Sequence, residues 1–285
     1  MWALFLYSLV TLAEASSPFW DTFGNGKAEI SSYQFTQPRY GELRKGYSVL
    51  IFVPEDIHAD TRIKIEDYSA TPEKFRVPVL KLNRNIQFST GIYNYSVMTS
   101  VFASINEKFG ISFFPLKLSL SGIEWCGNFF VQLLPDQKGA RRMQHSYFEK
   151  EGDRQDFLSS PTGGIYEDAL PILIRELQGE WQKEGEARSF PLFPSLWSTR
   201  ISHRTPSWEK ATLTKSRDKR ETRWQWQVGQ RSETYWVANE YPHYILRWEG
   251  SDGEKGERKK TLHLPYWEKN GNKDLPLRKE LGIPE

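Results

Sequence analysis

The chain has 285 residues, of which 38% are hydrophobic and 26% are charged, as is typical of a globular protein with an ample core. Its formal net charge is only +2, which argues against a protein whose main function is to bind nucleic acid. The single cysteine, Cys126, excludes an intramolecular disulfide. Aromatic residues reach 14%, with 11 tryptophans, and this composition favours β-strands.

The N-terminal segment 1–15 has the features of a cleavable signal peptide. Residues 1–10 are nearly all apolar, and Ala13 and Ala15 form an A-x-A cleavage pattern, although no lysine or arginine precedes the apolar run. The run is too short to span a bilayer. We therefore expect an exported bacterial protein of the periplasm or cell surface, whose mature chain starts at Ser16 and contains no transmembrane segment.

The first half of the mature chain is predicted to be a succession of strands. Leu116, Leu118 and Leu120 alternate with polar residues, which indicates a half-buried strand. Further strands are predicted at 27–35, 47–53, 62–65, 77–82, 128–134 and 143–148. Pro54 is expected to end the second of these strands. The segment 93–105 fits a helix or a strand equally well.

The middle of the chain is predicted to hold the one main helix, over residues 165–178. Apolar residues recur there at helical spacing, at Tyr166, Ala169, Leu170, Leu173 and Leu177. Glu167 and Asp168 suit the positive end of a helix, and Gly179 suits its stop. The preceding stretch 154–164 is the best internal boundary, which we interpret as a loop inside one domain covering 16–285.

The last third of the chain is rich in tryptophan and in strand patterns. The clearest alternation lies at 222–228, where Trp224, Trp226 and Val228 share one face. Segments 244–248 and 258–266 flank a glycine-containing turn, and they predict an antiparallel hairpin.

The polar tail from Asn270 is expected to be loose. The elements together predict a mainly β (α+β) fold, an antiparallel curved sheet or half-open barrel wrapped around one main helix.

Cys126 is a weak candidate nucleophile, with His145 as its base and Glu124 to orient that base. No hydrolase signature surrounds it, and a structural cysteine in a strand is the alternative. A pair of carboxylates could instead meet in a glycosidase-like cleft. The five histidines have no metal-binding spacing, and no glycine pattern fits a phosphate loop, so we predict no metal and no cofactor.

The tryptophans of the C-terminal strands suggest a ligand pocket. Aromatic faces bind sugars and line apolar cavities, although strand tryptophans also fill a thick core. We predict that Trp224, Trp226, Trp236 and Leu173 line a cavity between the sheet and the helix.

Several segments carry a family resemblance. They are Trp20, Gly26-Lys27-Ala28-Glu29, Tyr33, the segments 36–42 and 49–56, the run 88–100 and Glu124-Trp125-Cys126-Gly127. Together they resemble an uncharacterised family of exported bacterial proteins that are often predicted to be lipoproteins. Some members are labelled "septum formation inhibitor Maf", but the phosphate motif of that pyrophosphatase family, rich in serine and arginine, is missing from this sequence.

More distantly, the C-terminal half is similar to envelope proteins of the lipoprotein-carrier type. The resemblance rests on residues 166–175, the tryptophan-rich strands and Tyr241-Pro242-His243. It implies a half-barrel around a helix with an apolar cavity, although this chain has no anchoring cysteine.

These observations predict a non-enzymatic bacterial cell-envelope protein that binds a lipid, a lipoprotein or another apolar ligand. An envelope hydrolase that uses Cys126 or a carboxylate pair is one alternative, and a protein–protein scaffold of the envelope is another.

Overall fold

A computed structural model describes residues 17–284, so the predicted signal peptide lies outside the described residues. Strands hold 53% of the chain and helices 13%, and the strands form one large, curved, unclosed sheet. The prediction of a mainly β fold is therefore confirmed. No helix in the described range is long and apolar enough to cross a membrane.

The described residues contain fifteen strands. They are β1 (Ala28–Arg39), β2 (Glu42–His58), β3 (Arg76–Thr90), β4 (Tyr93–Ser104), β5 (Pro115–Glu124), β6 (Gly127–Pro135), β7 (Gly139–Ser146), β8 (Arg154–Ser159), β9 (Ile165–Tyr166), β10 (Ala187–Phe193), β11 (Glu209–Arg217), β12 (Glu221–Val228), β13 (Arg231–Ala238), β14 (Ile245–Gly250) and β15 (Lys255–Leu264). Four short helices accompany them: α1 (Ser17–Phe23), α2 (Leu170–Leu173), α3 (Leu196–Ser202) and α4 (Pro276–Glu280).

All the strands belong to one sheet made of two meanders. Its order is β8-β7-β6-β5-β4-β3-β2-β1-β15-β14-β13-β12-β11-β10-β9. The two meanders join at its centre, where β1 pairs antiparallel with β15 and Ile30 lies opposite Leu262. Both ends of the described chain therefore lie near the middle of the sheet, and the middle of the chain forms its two edges, β8 and β9.

The link between the two edge strands explains the curvature of the sheet. Only residues 160–164 separate Ser159, at the end of β8, from Ile165, at the start of β9. Because an extended chain covers at most about 3.5 Å per residue, this link spans no more than about 20 Å. The Trp208 indole also donates a 2.8 Å hydrogen bond to the Ser159 carbonyl oxygen. The sheet must therefore curl until its edges lie close together.

The predicted main helix is much shorter than expected. Residues 165–178 form the two-residue strand β9, a 3-10 turn at Glu167–Ala169 and the four-residue helix α2. Leu170, Ile172 and Ile174 are as buried as Leu173 and Leu177, so the segment has no solvent-facing side. We call residues 165–178 the middle segment.

Two strand predictions in the region from β2 to β4 were wrong, and one ambiguous segment there is a strand. β2 continues through Pro54 to His58, because its pairing with β1 ends at Phe52 and the missing proline N–H faces no partner strand. The predicted strand at 62–65 is a single bridge between Lys64 and Ile57. The ambiguous segment 93–105 forms strand β4.

The C-terminal strands match the prediction, but the tail does not. Trp224, Trp226 and Val228 are buried on one face of β12, and β14 and β15 pair as the expected antiparallel hairpin. The tail expected to be loose instead folds against the outer face of the sheet. Leu281 is buried there, and its carbonyl oxygen accepts a hydrogen bond from the Ser32 hydroxyl.

Candidate functional site

A pocket with charged walls opens on the inner face of the sheet. The space between its walls, including open solvent, is about 810 Å³. Strands β2 to β4 form one wall, β12 to β14 and the turn before β15 form another, and the middle segment and α3 lie between them. We call it the acidic pocket, because acids outnumber bases among its lining side chains. The acids are Glu167, Asp168, Glu233, Asp252 and Glu254, and the bases are Arg84 and Arg231.

The first ion pair of the acidic pocket joins the middle segment to β13. Arg231 holds Glu167 in a two-point contact, with nitrogen–oxygen distances of 2.6 and 2.8 Å. The Trp226 indole donates to the same carboxylate at 3.0 Å, and the backbone N–H of Ser195 donates at 2.8 Å. Arg231 also contacts Glu233 at 2.9 Å. Glu167 is thus held rigidly by four donors from three elements.

The second ion pair joins β3 to the turn before β15. Arg84 bonds to Glu254, and the Trp248 indole donates to Glu254 at 2.9 Å. The guanidinium carbon of Arg84 lies 5.2 Å from the centre of the Trp248 ring. The Arg84 Nε atom is buried and has no hydrogen-bond partner among the described residues. One strong donor in the pocket wall is therefore left unused.

Asp168 lies beside the start of α3. Its carboxylate accepts a 2.9 Å hydrogen bond from the backbone N–H of Leu196. Burial raises the pKa of Asp168 from 3.8 to about 6, although this N–H opposes the rise. A carboxyl group with a pKa near 6 exists in both protonation states close to neutral pH, which is a requirement for proton transfer.

Two groups on β13, Glu233 and Tyr235, also have raised pKa values. Burial raises the pKa of Glu233 well above its usual value, and the nearby carboxylates of Glu167 and Glu254 raise it further. Burial also raises the pKa of the Tyr235 hydroxyl. In the described chain that hydroxyl makes no side-chain hydrogen bond. The wall formed by β13 therefore presents one carboxyl group and one phenol.

An aromatic floor lies between the charged groups. The rings of Trp226 and Tyr235 stack at a centroid distance of 5.1 Å, and those of Tyr235 and Trp248 at 5.8 Å. Their interplanar angles are 20° and 13°, so the three rings form a nearly parallel row. The three rings are at most 3% exposed, so they form a packed apolar floor beneath the charged groups.

The structure separates the four residues predicted to line one cavity. Trp226 lines the acidic pocket. Trp224 is completely buried, with the Lys215 ammonium 5.1 Å from its ring centre, and Leu173 borders a different groove. Trp236 lies on the opposite face of β13 and packs against Arg247, because its position alternates with that of Tyr235. Of the four predicted lining residues, the acidic pocket contains only Trp226.

The predicted group of Cys126, His145 and Glu124 does not assemble. Cys126 is exposed in the turn between β5 and β6, and no hydrogen bond joins it to a histidine in the part of the chain described. His145 Nδ1 lies 3.4 Å from Asp153, and Glu124 is buried 3.5 Å from Arg200. Within residues 17–284 no group of three or more histidine, cysteine or acidic side chains could hold a metal ion.

Apart from Trp226, the residues of the acidic pocket were missed by the sequence analysis, although the pattern of the sequence marks two of them. Glu233 shares a strand face with Tyr235 and Val237, which are core residues. Arg84 likewise shares the β3 face of Leu82 and Ile86. A charged side chain on the apolar face of a strand must either pair with a buried partner or face a cavity. Glu233 and Arg84 are therefore functional-site candidates.

Comparison of the chain with protein-family models, with curated proteins and with solved structures found no match. The resemblances to exported bacterial proteins and to lipoprotein carriers therefore stay predictions from the residues alone. The geometry and chemistry of the pockets are the basis for the function proposed below.

Proposed function

We propose that this protein is an acid–base enzyme that acts on a small, hydroxyl-rich substrate in the acidic pocket, with Asp168 as the group that transfers the proton. The observation that carries the proposal is the position of the half-buried Asp168 carboxyl group in this pocket, where burial raises its pKa to about 6. General acids and bases work best when their pKa lies near the working pH. Burial is the usual way in which a carboxyl group reaches that value.

The walls of the pocket support a hydroxyl-rich substrate. The stacked rings of Trp226, Tyr235 and Trp248 give the pocket an apolar floor. The Arg84 Nε atom is buried without a hydrogen-bond partner among the described residues, and it can bond to a substrate hydroxyl group; Tyr235 lines the same pocket. The excess of acids over bases in the lining disfavours an anionic substrate.

Glu233 supplies the second carboxyl group. A pair of carboxyl groups flanking the scissile bond is the usual machinery of glycoside hydrolysis, where one donates a proton and the other acts as base or nucleophile. Arg231 contacts Glu233 at 2.9 Å and favours its ionised form, whereas Asp168 has no salt bridge in the described chain. Burial and two neighbouring carboxylates nonetheless raise the pKa of Glu233 well above its usual value, so we assign the acid role to Glu233 and the base role to Asp168, whose pKa is about 6.

A panel of 4-nitrophenyl glycosides tests this proposal, with hydrolysis followed from pH 4 to pH 8. We expect turnover of at least one sugar, and a loss of about 100-fold or more in kcat for Asp168→Asn and for Glu233→Gln. Asp60→Asn, at an exposed position outside the pocket, is the matched control and should keep full activity. Full activity in Asp168→Asn would refute the role of that residue.

Sugar binding can be measured independently of turnover. Trp226 and Trp248 lie in the pocket, so a bound sugar should change the tryptophan fluorescence. Asp168→Asn should still bind. If no mono- or disaccharide changes the fluorescence or is hydrolysed, the substrate class is wrong.

A second candidate function is the binding of an apolar ligand without catalysis, as the sequence suggested. It is favoured by a groove of about 930 Å³ between the start of β5 and the middle segment, where Phe113, Leu173 and Trp181 lie. Mass spectrometry of gently purified protein should then show extractable lipid, and Trp181→Ala should lower its amount. A bare protein mass from cells would remove this candidate.

We further propose that the chain is an exported protein of the bacterial cell envelope and that its sheet wraps around the middle segment in place of one main helix. The A-x-A pattern at Ala13 and Ala15 supports export. The burial of Leu170 and Ile172 supports the wrapped arrangement. When the full chain is expressed in a bacterium, the protein should be recovered from the periplasm with Ser16 as its first residue. An uncleaved chain would overturn the export proposal.

A further inference from the structure

A second pocket lies on the other half of the sheet and has the opposite charge. It has an empty volume of about 650 Å³ and lies between β6 to β8 and α3. Apolar side chains form its floor, namely Val131, Leu133, Leu158, Phe193, Leu196 and Pro206. Cationic side chains form its rim, namely Arg142, Lys150, Arg154, Arg200 and Arg204. We call it the basic pocket; Glu151 is the only acid in its lining.

The ion pairs of the rim do not neutralise all of its cations. Arg142 is paired with Asp156 on β8. Arg200 is shared between Glu151, at 3.0 Å, and Glu124, at 3.5 Å. The other three cations, Lys150, Arg154 and Arg204, form no ion pair within the described residues. The mouth of the pocket therefore carries a local excess of positive charge that attracts anions.

Three buried polar atoms in the wall make no hydrogen bond among the described residues, namely Arg200 Nε, Thr199 Oγ1 and Glu151 Oε1, the last of which lies 3.0 Å from Arg200 Nη1. Arg200 is only 7% exposed, yet its Nε donor makes no hydrogen bond in the described chain, and neither does the buried hydroxyl of neighbouring Thr199. Buried donors nearly always have a partner, so an unpaired guanidinium N–H beside an unpaired hydroxyl marks a place where a ligand acceptor is missing. Both residues lie on α3, and both line the basic pocket.

We propose that the basic pocket binds an amphipathic anion, with its head at Arg200 and Thr199 and a short apolar chain along the floor. The head is a carboxylate or a phosphate monoester, because either supplies acceptors for a guanidinium and a hydroxyl. The apolar part follows from the side chains beneath the cationic rim, such as Leu133, Phe193 and Leu196. The acidic pocket would repel such a ligand, so this site is independent of the function proposed above.

Isothermal titration calorimetry with five probes tests this site: octanoate, octyl phosphate, octanol, octylammonium and inorganic phosphate. One of the two amphipathic anions should bind at least about tenfold more tightly than octanol or octylammonium, since a charge-assisted hydrogen bond is worth about one decade of affinity. The tighter of the two identifies the head group. Equal affinity for octanol or octylammonium would overturn the anionic head. Inorganic phosphate that binds as tightly as octyl phosphate would overturn the apolar part.

Variants locate the binding. Thr199→Val removes a hydroxyl that makes no hydrogen bond, so the fold should be retained while the affinity falls about tenfold. Arg154→Gln and Arg204→Gln change exposed side chains and should each weaken binding and reduce its dependence on salt. Arg223→Gln, exposed on β12, is the matched control and should bind like the wild type.

Asp168→Asn should also leave this affinity unchanged, because it alters only the acidic pocket. Wild-type affinity in Thr199→Val and in the double variant Arg154→Gln/Arg204→Gln would overturn the assignment of the site.

Discussion

Replacing Asp168 with asparagine should make the protein more stable at high pH and leave its stability unchanged at low pH. The folded protein holds a proton on Asp168 more tightly than the unfolded chain does, because burial raises the pKa from 3.8 to about 6. Ionisation of Asp168 therefore costs stability, and the cost grows as the pH rises from about 4 through about 6. Asparagine cannot ionise, and its side-chain oxygen can still accept the hydrogen bond from Leu196.

The size of the effect follows from the pKa. The rise from 3.8 to about 6 corresponds to about 3 kcal/mol at about 1.36 kcal/mol per pH unit. Asp168 opens onto the acidic pocket, whose water stabilises part of its charge, so we expect Asp168→Asn to gain about 2 kcal/mol at pH 8. At pH 4 the two proteins should have the same free energy of unfolding. Urea titrations at both pH values, followed by tryptophan fluorescence, measure the difference.

Asp218→Asn is a control with the opposite sign. The backbone N–H groups of Arg220 and Glu221 lower the pKa of the exposed Asp218, so its ionised form stabilises the fold above the unfolded pKa. That contribution is lost as the pH falls, and the asparagine variant should be the less stable protein at pH 8. If Asp168→Asn were destabilising at pH 8, or if its effect were the same at both pH values, the assignment of a raised pKa would be refuted.

Three further predictions concern the core and the cysteine. Glu29→Gln should lower the free energy of unfolding by about 3 kcal/mol, because it leaves the fully buried Arg175 without its counter-charge; a loss below about 1 kcal/mol in urea titrations would contradict this. Gly122→Ala should cost about 1–3 kcal/mol in the same assay, since the new Cβ would lie 2.0 Å from the buried ring of Phe129; unchanged stability would show that the ring yields. Cys126 should react with a thiol reagent as readily in the native protein as in urea, and its serine variant should keep the wild-type stability; protection in the native state would contradict its exposed position.

Local patterns were enough to predict the strands, because apolar and polar residues alternate along a half-buried strand and so distinguish its buried face from its exposed face. The alternation of Trp224 and Trp226 with Arg223 and Gln225 identified β12 correctly. The prediction was wrong where a segment is buried on all sides. Residues 165–178 show apolar residues at helical spacing, but their apparent polar face includes Glu167 and Asp168, which turn into the acidic pocket.

The acidic pocket could not be predicted, because its pairs depend on the sheet order. Arg84 and Glu254 are 170 residues apart, and Glu167 and Arg231 are 64 residues apart. Their contacts exist because β1 pairs with β15 and because the short link 160–164 curls the sheet. A single sequence contains no local signal for that closure; the misplaced charges at Arg84 and Glu233 show only that some buried partner or cavity is required.

The same fold contains buried charges of two kinds, and the contrast between them supports the choice of site. The guanidinium of Arg175 is fully buried and satisfied, with two bonds to Glu29 and two to the Pro242 carbonyl oxygen. The ammonium of Lys215 is equally buried, and it bonds to Glu176 and to the Gln182 carbonyl oxygen.

Closed networks of this kind position the chain and leave no group available to a ligand. In the acidic pocket, by contrast, the Arg84 Nε atom has no partner among the described residues, and the pKa values of Asp168 and Glu233 are raised above their usual range. An incomplete network that also faces a cavity costs stability in the empty protein, and a bound substrate would recover part of that cost. The acidic pocket is therefore where the physical argument places the chemistry.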